Sequence, residues 1–169
     1  MGDGDYLYAF SRLIMPIARE FNPDFVIVSA GFDAAQGDPI GQCLVTPFGY
    51  ASMLHELSAL AGGKVAVVLE GGYHLDVIPL CYEACVRVLL KESLPMPPDG
   101  AMVASLRGIA AVEAAVTSLS PHWRCLYPKL AELPTGYADL GMNKDLVVTP
   151  IKSKFSFLRN HSILISLLI

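Results

Sequence analysis

The sequence predicts an α/β fold in which a partial, mostly parallel sheet is flanked by helices. Two short apolar runs rich in β-branched residues, 25–30 and 64–70, have the composition of strands buried on both faces. Helical patterns precede, separate and follow these runs. A helix–strand–helix–strand–helix order is typical of βα units, whose strands pair in parallel.

The first helix is predicted over residues 5–21. Its apolar side chains recur at helical spacing: Leu7, Phe10, Leu13, Ile14, Ile17 and Phe21. Asp3 or Asp5 is expected to cap its start, because a carboxylate can accept the free amides of a first turn. Pro16 predicts a kink, and the turn at 22–24 leads into the first strand.

A second helix is predicted over 47–61, between the two strands. Pro47 suits a first helical position, Thr46 is the expected N-cap, and Gly62 and Gly63 end the helix. After the second strand, a helix is expected over about 75–91, with Pro79 near its start. A linker at 93–100 precedes another helix, 101–119.

The last eight residues, SILISLLI, are apolar but too short for a membrane span, which needs about 20 residues. Three alternatives remain for them: a buried strand, an exposed sticky tail, or a sequence foreign to the fold.

The amino-acid composition argues for some classes of protein and against others. Hydrophobic residues make up 53% of the chain and charged residues 17%, which favours a well-packed domain. The net charge is −4 with no basic cluster, which argues against nucleic-acid binding. Cys81 and Cys85 fall on one helix face, and all four cysteines are expected to be buried, reduced thiols of an intracellular protein.

Ligand sites of parallel sheets lie beyond the carboxyl ends of the strands, and two polar residues fall there. Asp33 is the last residue of VSAGFD (28–33). An aspartate at this position could serve as a metal ligand, and it could equally serve as a helix cap or a turn residue. Tyr73 follows Gly71 and Gly72. The Tyr73 hydroxyl could donate a hydrogen bond to a carbonyl oxygen that gains negative charge during a reaction. Alternatively, Tyr73 could simply pack in an ordinary strand-to-helix turn.

The neighbouring polar residues favour structural roles. Asp38, in the sequence GDP, is expected to form a turn, and His74 to be a partly exposed residue of a first helical turn. No two histidines have metal-binding spacing. The glycine patterns of phosphate-binding loops are absent from the sequence. This absence argues against one possible function, that of a nucleotide-binding half-domain.

Residues 1–57 and the string LAGGKVAVVLEGGYHL (60–75) resemble the second half of the catalytic domain of zinc-dependent histone deacetylases. The branch is class II, and class IIb is the best match. The resemblance extends to about residue 127, and residues 128–169 are expected to form a tail outside it, poorly ordered. It implies an arginase- and deacetylase-like fold that is incomplete in this chain.

The resemblance also implies roles for individual residues. In the family, two aspartates and one histidine hold zinc, and Asp33 matches the second aspartate. Tyr73 matches the tyrosine that polarises the acyl-lysine carbonyl. Gly71 and Gly72 match the loop beside the acyl-lysine tunnel. Ile40 matches a rim position, where the polyamine-selective branch has glutamate, so an apolar residue there fits acetyl-lysine better.

The family's other zinc ligands and its tandem histidines precede the matched segment. The expectation is therefore a fragment of a zinc-dependent lysine deacetylase, inactive alone, whose family substrates are acetylated proteins such as histones or tubulin. Its expected location is the cytoplasm, the nucleus or both, with no membrane attachment and no direct nucleic-acid binding. The alternative is a non-catalytic interaction module, or a truncated gene product that keeps the scaffold.

Overall fold

A computed structural model describes residues 1–127 and 163–166, and it confirms the α/β fold. The α-helices are α1 (Asp3–Ala9), α2 (Met15–Phe21), α3 (Pro47–Ser58), α4 (Ile78–Leu89) and α5 (Leu106–Leu119). The strands are β1 (Val26–Gly31), β2 (Val65–Gly71) and β3 (Ile163–Ser166). Short 3₁₀ turns occupy Ala61–Gly63 and Arg124–Leu126.

The described strands form one parallel sheet in the order β2-β1-β3. Central β1 is almost entirely buried, as predicted. The prediction that β2 is buried on both faces is wrong, because Val68 is 46% and Leu69 51% exposed. β2 has one described neighbour and therefore forms an edge of the sheet.

The apolar carboxyl-terminal sequence supplies β3, which pairs with β1 over Val26–Ser29. Of the three alternatives for this sequence, the structure supports the strand. The predicted tail over 128–169 otherwise falls outside the described residues.

The first helical segment is confirmed, and its predicted kink takes a specific form. A π-helical turn, Phe10–Ile14, separates α1 from α2. Pro16 occupies the first turn of α2, where its missing amide costs least. A wider turn just before the proline therefore accommodates the break in the hydrogen-bond ladder. Asn22, at a φ of 54°, ends the segment in the left-handed conformation.

The expectation for Asp3 and Asp5 is only partly correct. Gly2 is the N-cap of α1, and Asp5 accepts a hydrogen bond from its amide at 3.1 Å. Both carboxylates also bind the start of another helix. Asp3 accepts from the amide of Thr46, the N-cap of α3, and Asp5 from the amide of Ser105, the N-cap of α5, both at 2.7 Å.

In both aspartate contacts, a glycine in the first turn of the helix makes room for the carboxylate. Gly49 in α3 and Gly108 in α5 each stand three residues after the N-cap, and a Cβ at either glycine would overlap the facing carboxylate. The missing side chains let both carboxylates approach the helix starts. Residues 3–5 thereby fix the relative positions of three helices.

Several predicted helix limits shift for local reasons. α3 begins at Pro47 with Thr46 as N-cap, as expected, but ends at Ser58. α4 begins at Ile78 rather than near 75, which puts Pro79 in its first turn. α5 begins at Leu106 rather than 101, because Ser105 is its N-cap and accepts a hydrogen bond from the Gly108 amide.

The helical segment 3–21 packs on both of its sides. Tyr6, Phe10, Met15 and Ala18 join the main core with β1, α3 and α4. Leu13 and Ile17 pack instead against a smaller core built by α5 and Leu126. The aspartate contacts and these two apolar faces hold α5 to the rest of the domain.

The cysteine prediction is partly correct. Cys81 and Cys85 are free and buried in the main core, whereas Cys43 is half-buried and Cys125 is exposed. Among the described residues, no helix is both long and apolar enough to cross a membrane.

Candidate active site

The two loops predicted to carry chemistry leave adjacent strands at the same end of the sheet. Gly31 of β1 pairs with Gly71 of β2, and the Phe32 amide donates to the Gly71 carbonyl at 3.0 Å. Asp33 and Tyr73 each lie two residues beyond these paired glycines. The predicted placement at the carboxyl edge is therefore found.

A bulge precedes this junction. Ala30 pairs with Leu69 and Gly31 with Gly71, so Glu70 has no residue opposite it. The Ser29 hydroxyl donates to Glu70 Oε2 at 2.6 Å, which ties the bulged residue to β1. Bulges of this kind redirect the chain at the end of a strand, and here the redirected segment is the one that carries Tyr73.

Asp33 lies against the glycine loop of the neighbouring strand. Its Oδ1 is buried and has no hydrogen-bond partner in the part of the chain that the structure describes. A Cβ built on Gly71 would stand 3.7 Å from this oxygen and 3.3 Å from the Gly31 Cα. Glycine at 71 therefore allows the two strand ends to approach closely, and the buried Asp33 oxygen lies beside them.

Gly72 shapes the turn that delivers Tyr73. Its φ is +109°, and a Cβ there would lie 2.9 Å from the Phe32 Cβ and 3.1 Å from Ile78 Cγ1. Both the backbone conformation and the available space require glycine. The turn leaves the Tyr73 side chain 57% exposed.

Asp38 connects the two loops. It forms the expected turn, since its Oδ1 accepts from the amides of Ile40 and Gly41 at 2.8 and 3.1 Å. Its Oδ2 accepts from the Tyr73 amide at 2.8 Å, a contact that the GDP sequence did not predict. Ile40 itself is 65% exposed, beside this junction.

The charge state of Asp38 follows from these contacts. Burial alone would raise the pKa of its carboxyl group, but the hydrogen bonds from Gly41, Tyr73 and Ile40 outweigh that effect and hold the pKa below 3.8. Asp38 is therefore an anion at neutral pH.

Two tyrosines on the buried side of the site were not predicted from the sequence. The Tyr50 hydroxyl group is buried and has no hydrogen-bond partner among the described residues. The Tyr6 hydroxyl group is also buried, close to the thiol of Cys43. Burial raises the pKa of both phenols, and the Asp33 charge adds to the increase. The Tyr50 ring also packs edge-on against Phe32, at 4.9 Å between centroids. The sequence shows only that each of these tyrosines falls within a predicted helix, 5–21 or 47–61.

The prediction for His74 is correct in its partial exposure and wrong in its position. It precedes α4 instead of lying in its first turn, and its carbonyl accepts from the amides of Val77 and Ile78. The residue is half-buried, and its Nδ1 is buried with no hydrogen-bond partner within the described ranges.

The described residues contain no group of three or more His, Cys, Asp or Glu side chains placed to hold a metal ion. Asp33, with its unpartnered buried oxygen, fits a single metal ligand.

A cleft of about 550 Å³ lies at the opposite end of the sheet, and its lining includes Arg19, Asp24 and Lys64. None of the residues predicted to form the site borders this cleft.

Comparison with known proteins gives consistent matches. A family model described as "Histone deacetylase domain" matches residues 1–89, a range that contains Asp33, Ile40 and Tyr73. The histone deacetylase clr3 of Schizosaccharomyces pombe is 49% identical over 129 residues, which is 76% of this chain and 18% of that protein. The human polyamine deacetylase HDAC10 is 43% identical over 126 residues, which is 75% of this chain and 19% of that protein.

A solved structure of the histone deacetylase Clr3 superposes with a TM-score of 0.73 at 48% identity, and the match covers 76% of this chain and 21% of that chain. The chain thus spans about a fifth of the length of these relatives.

Proposed function

Because the chain belongs to the histone deacetylase family, we propose that it supplies part of the active site of a zinc-dependent enzyme that hydrolyses N-acetyl-lysine amides. The observation that carries this proposal is the junction of two strand ends, where the Asp33 carboxylate lies against Gly71 and Asp38 joins its turn to Tyr73.

Asp33 is proposed as a zinc ligand. Its buried, unpartnered oxygen is unusual, because buried carboxylates normally find donors within the protein. A bound cation would provide the missing partner, and Asp oxygen is among the common ligands of zinc. Zinc, when bound, supplies polarisation of water and of the acyl carbonyl.

Tyr73 is proposed as the donor to the acyl oxygen. Amide hydrolysis places negative charge on this oxygen, and a hydroxyl held nearby stabilises the transition state. The exposed Tyr73 side chain is accessible to a substrate, while its backbone is held by Asp38. Gly71 and Gly72 are proposed to line the approach of the acyl-lysine chain, since they present no side chains.

The proposed substrate is an acetylated lysine in a protein, such as a histone or tubulin. Exposed Ile40, beside the junction, would present an apolar surface to the lysine methylenes. A carboxylate at that position would attract a cationic polyamine, and isoleucine does not. The name of the human relative assigns it polyamines, whereas that of the yeast relative assigns it histones. Action in the nucleus or cytoplasm accords with such substrates.

Among the described residues we propose one zinc ligand and find no group of three, whereas catalytic zinc usually has three ligands from the protein. We therefore expect no turnover from these residues alone. The alternative function, a non-catalytic module that retains the scaffold, is favoured by the same observation.

The test uses the purified chain, an acetyl-lysine peptide and excess zinc. We expect weak zinc binding that Asp33→Ala abolishes and Asp24→Ala, at the other end of the sheet, preserves. We expect no peptide hydrolysis above that of Tyr73→Phe. Zinc-dependent hydrolysis that Tyr73→Phe removes would contradict the expected inactivity and establish the chain as an enzyme. Zinc binding unaffected by Asp33→Ala would contradict the proposed metal site.

A further inference from the structure

Asp38 connects the loop that follows β1 with the loop that follows β2. Its side chain is buried, with 5% of the residue exposed, and both of its oxygens are used. One oxygen accepts two amides of its own turn, and the other accepts the amide of Tyr73, 35 residues away.

The turn that Asp38 forms is itself fixed to the backbone around Asp33. A Cβ on Gly41 would overlap the Asp33 carbonyl oxygen, so the 38–41 turn packs directly on that residue. The Asp38 carboxylate therefore joins three parts of the site: the backbone beside Asp33, the Ile40 rim and the loop that carries Tyr73.

Two of these three hydrogen bonds, those from the Ile40 and Tyr73 amides, are short. An ionised acceptor shortens and strengthens an N–H···O bond, and the distances to Ile40 and Tyr73 are both 2.8 Å. The Tyr73 loop also needs such an anchor. Glycine at position 72 restricts its own backbone little, and Tyr73 is 57% exposed, so the hydrogen bond to the Tyr73 amide helps to hold the loop.

We propose that Asp38 is a positioning residue, which sets the location of Tyr73 relative to Asp33 and of Ile40 relative to both. The catalytic role of this positioning rests on the proposed function. The hydrogen bonds that link Asp38 to the two loops are present in the fold whether or not that function is correct.

Two variants separate the linkage from general stability. Asp38→Asn keeps the size of the side chain but replaces one acceptor oxygen by an NH₂ group, which cannot accept a hydrogen bond. We expect its remaining oxygen to keep the two amides of the turn and to release that of Tyr73. Asp38→Ala releases all three amides. Asp24→Asn, exposed at the far end of the sheet, is the matched control.

Amide hydrogen exchange on the whole chain gives the first readout. In Asp38→Asn we expect the Tyr73 amide to exchange about tenfold faster or more, while Ile40, Gly41 and the β1 amides keep their rates. In Asp38→Ala all three released amides accelerate. Equal acceleration throughout the chain, or an unchanged Tyr73 amide in Asp38→Asn, would overturn the proposal.

A fluorine resonance from the tyrosine ring gives the second readout. If Asp38 only stabilised the fold, its substitution would leave this resonance unchanged. With 3-fluorotyrosine at position 73, Asp38→Asn is expected to shift or broaden the fluorine resonance and Asp24→Asn to leave it unchanged. An unchanged resonance in Asp38→Asn would overturn the positioning role. Neither readout needs turnover, so failure of the chain to hydrolyse acetyl-lysine would count against the proposed function alone.

Discussion

The carboxylate of Asp3 accepts hydrogen bonds from both the amide and the hydroxyl of Thr46, at 2.7 and 2.6 Å. These two residues are 43 positions apart in the sequence. Thr46 caps α3, the helix that follows the loop carrying Asp33 and Asp38. The contact therefore anchors one end of the site loop to the start of the first helix.

Loss of the Asp3 acceptor should destabilise the fold. Asp3 is 4% exposed and Thr46 is half-buried, so Asp3→Ala would remove the acceptor of the Thr46 amide and hydroxyl from a site that water reaches only in part. We expect the free energy of unfolding to fall by about 2 to 3 kcal/mol. Urea denaturation measures the change, with Asp99→Ala, in the exposed linker, as the control. Equal stability of the two variants would show that water replaces the carboxylate at this site.

Asp5 should make stability depend on pH in acid. Burial would raise the pKa of its carboxyl group, but hydrogen bonds from Ser105 and Gly2 outweigh that effect and lower the pKa below 3.8. The folded pKa is thus below the unfolded one. The stabilisation is complete above the unfolded value of about 3.9 and is lost as the pH falls through the folded value.

Urea titrations between pH 6 and pH 3 test this dependence. Asp5→Asn should be less stable at pH 6, and its stability should fall less steeply below about pH 4 than that of the parent chain. Glu20 and Glu113 also have lowered pKa values, so a residual slope is expected. Parallel curves for the parent chain and the variant would refute the role of Asp5.

The two reasons for glycine at position 72 can be separated by comparison with Gly100. Both have positive φ, +109° and +75°, but a Cβ at Gly100 would meet nothing within 4 Å. We expect Gly100→Ala to cost about 1 kcal/mol, from backbone strain alone. Gly72→Ala should cost more, because its Cβ would also press on Phe32 and Ile78. Thermal unfolding of both variants measures the difference, and equal costs would mean that the loop relaxes.

Cys81 and Cys85 should resist alkylation in the folded chain. Burial raises the pKa of both thiols to about 12, so little thiolate forms at pH 8. We expect iodoacetamide to leave both unmodified in native buffer and to modify both in urea, as read by mass spectrometry. Modification of either thiol in the native state would indicate that α4 opens readily from the core.

The sequence predicted the order of the helices and of β1 and β2 because these two strands are continuous apolar runs between periodic segments. It placed Asp33 and Tyr73 at one edge because parallel strands share their direction. It did not reveal the partners of Asp3 and Asp5, since those contacts span 43 and 100 positions and leave no local pattern. Asp38 shows the same limit: its turn was predictable, but its bond to Tyr73 depends on how the two strands pair.

The exposure of β2 has a practical consequence for laboratory work. No described strand pairs with the outer side of β2, so the backbone groups on that side have no partner among the described strands. Val68 and Leu69 of this strand are exposed to solvent. Such an edge readily adds a strand from another molecule. Purified material is therefore expected to self-associate as its concentration rises, and dilution series should accompany any assay of the chain.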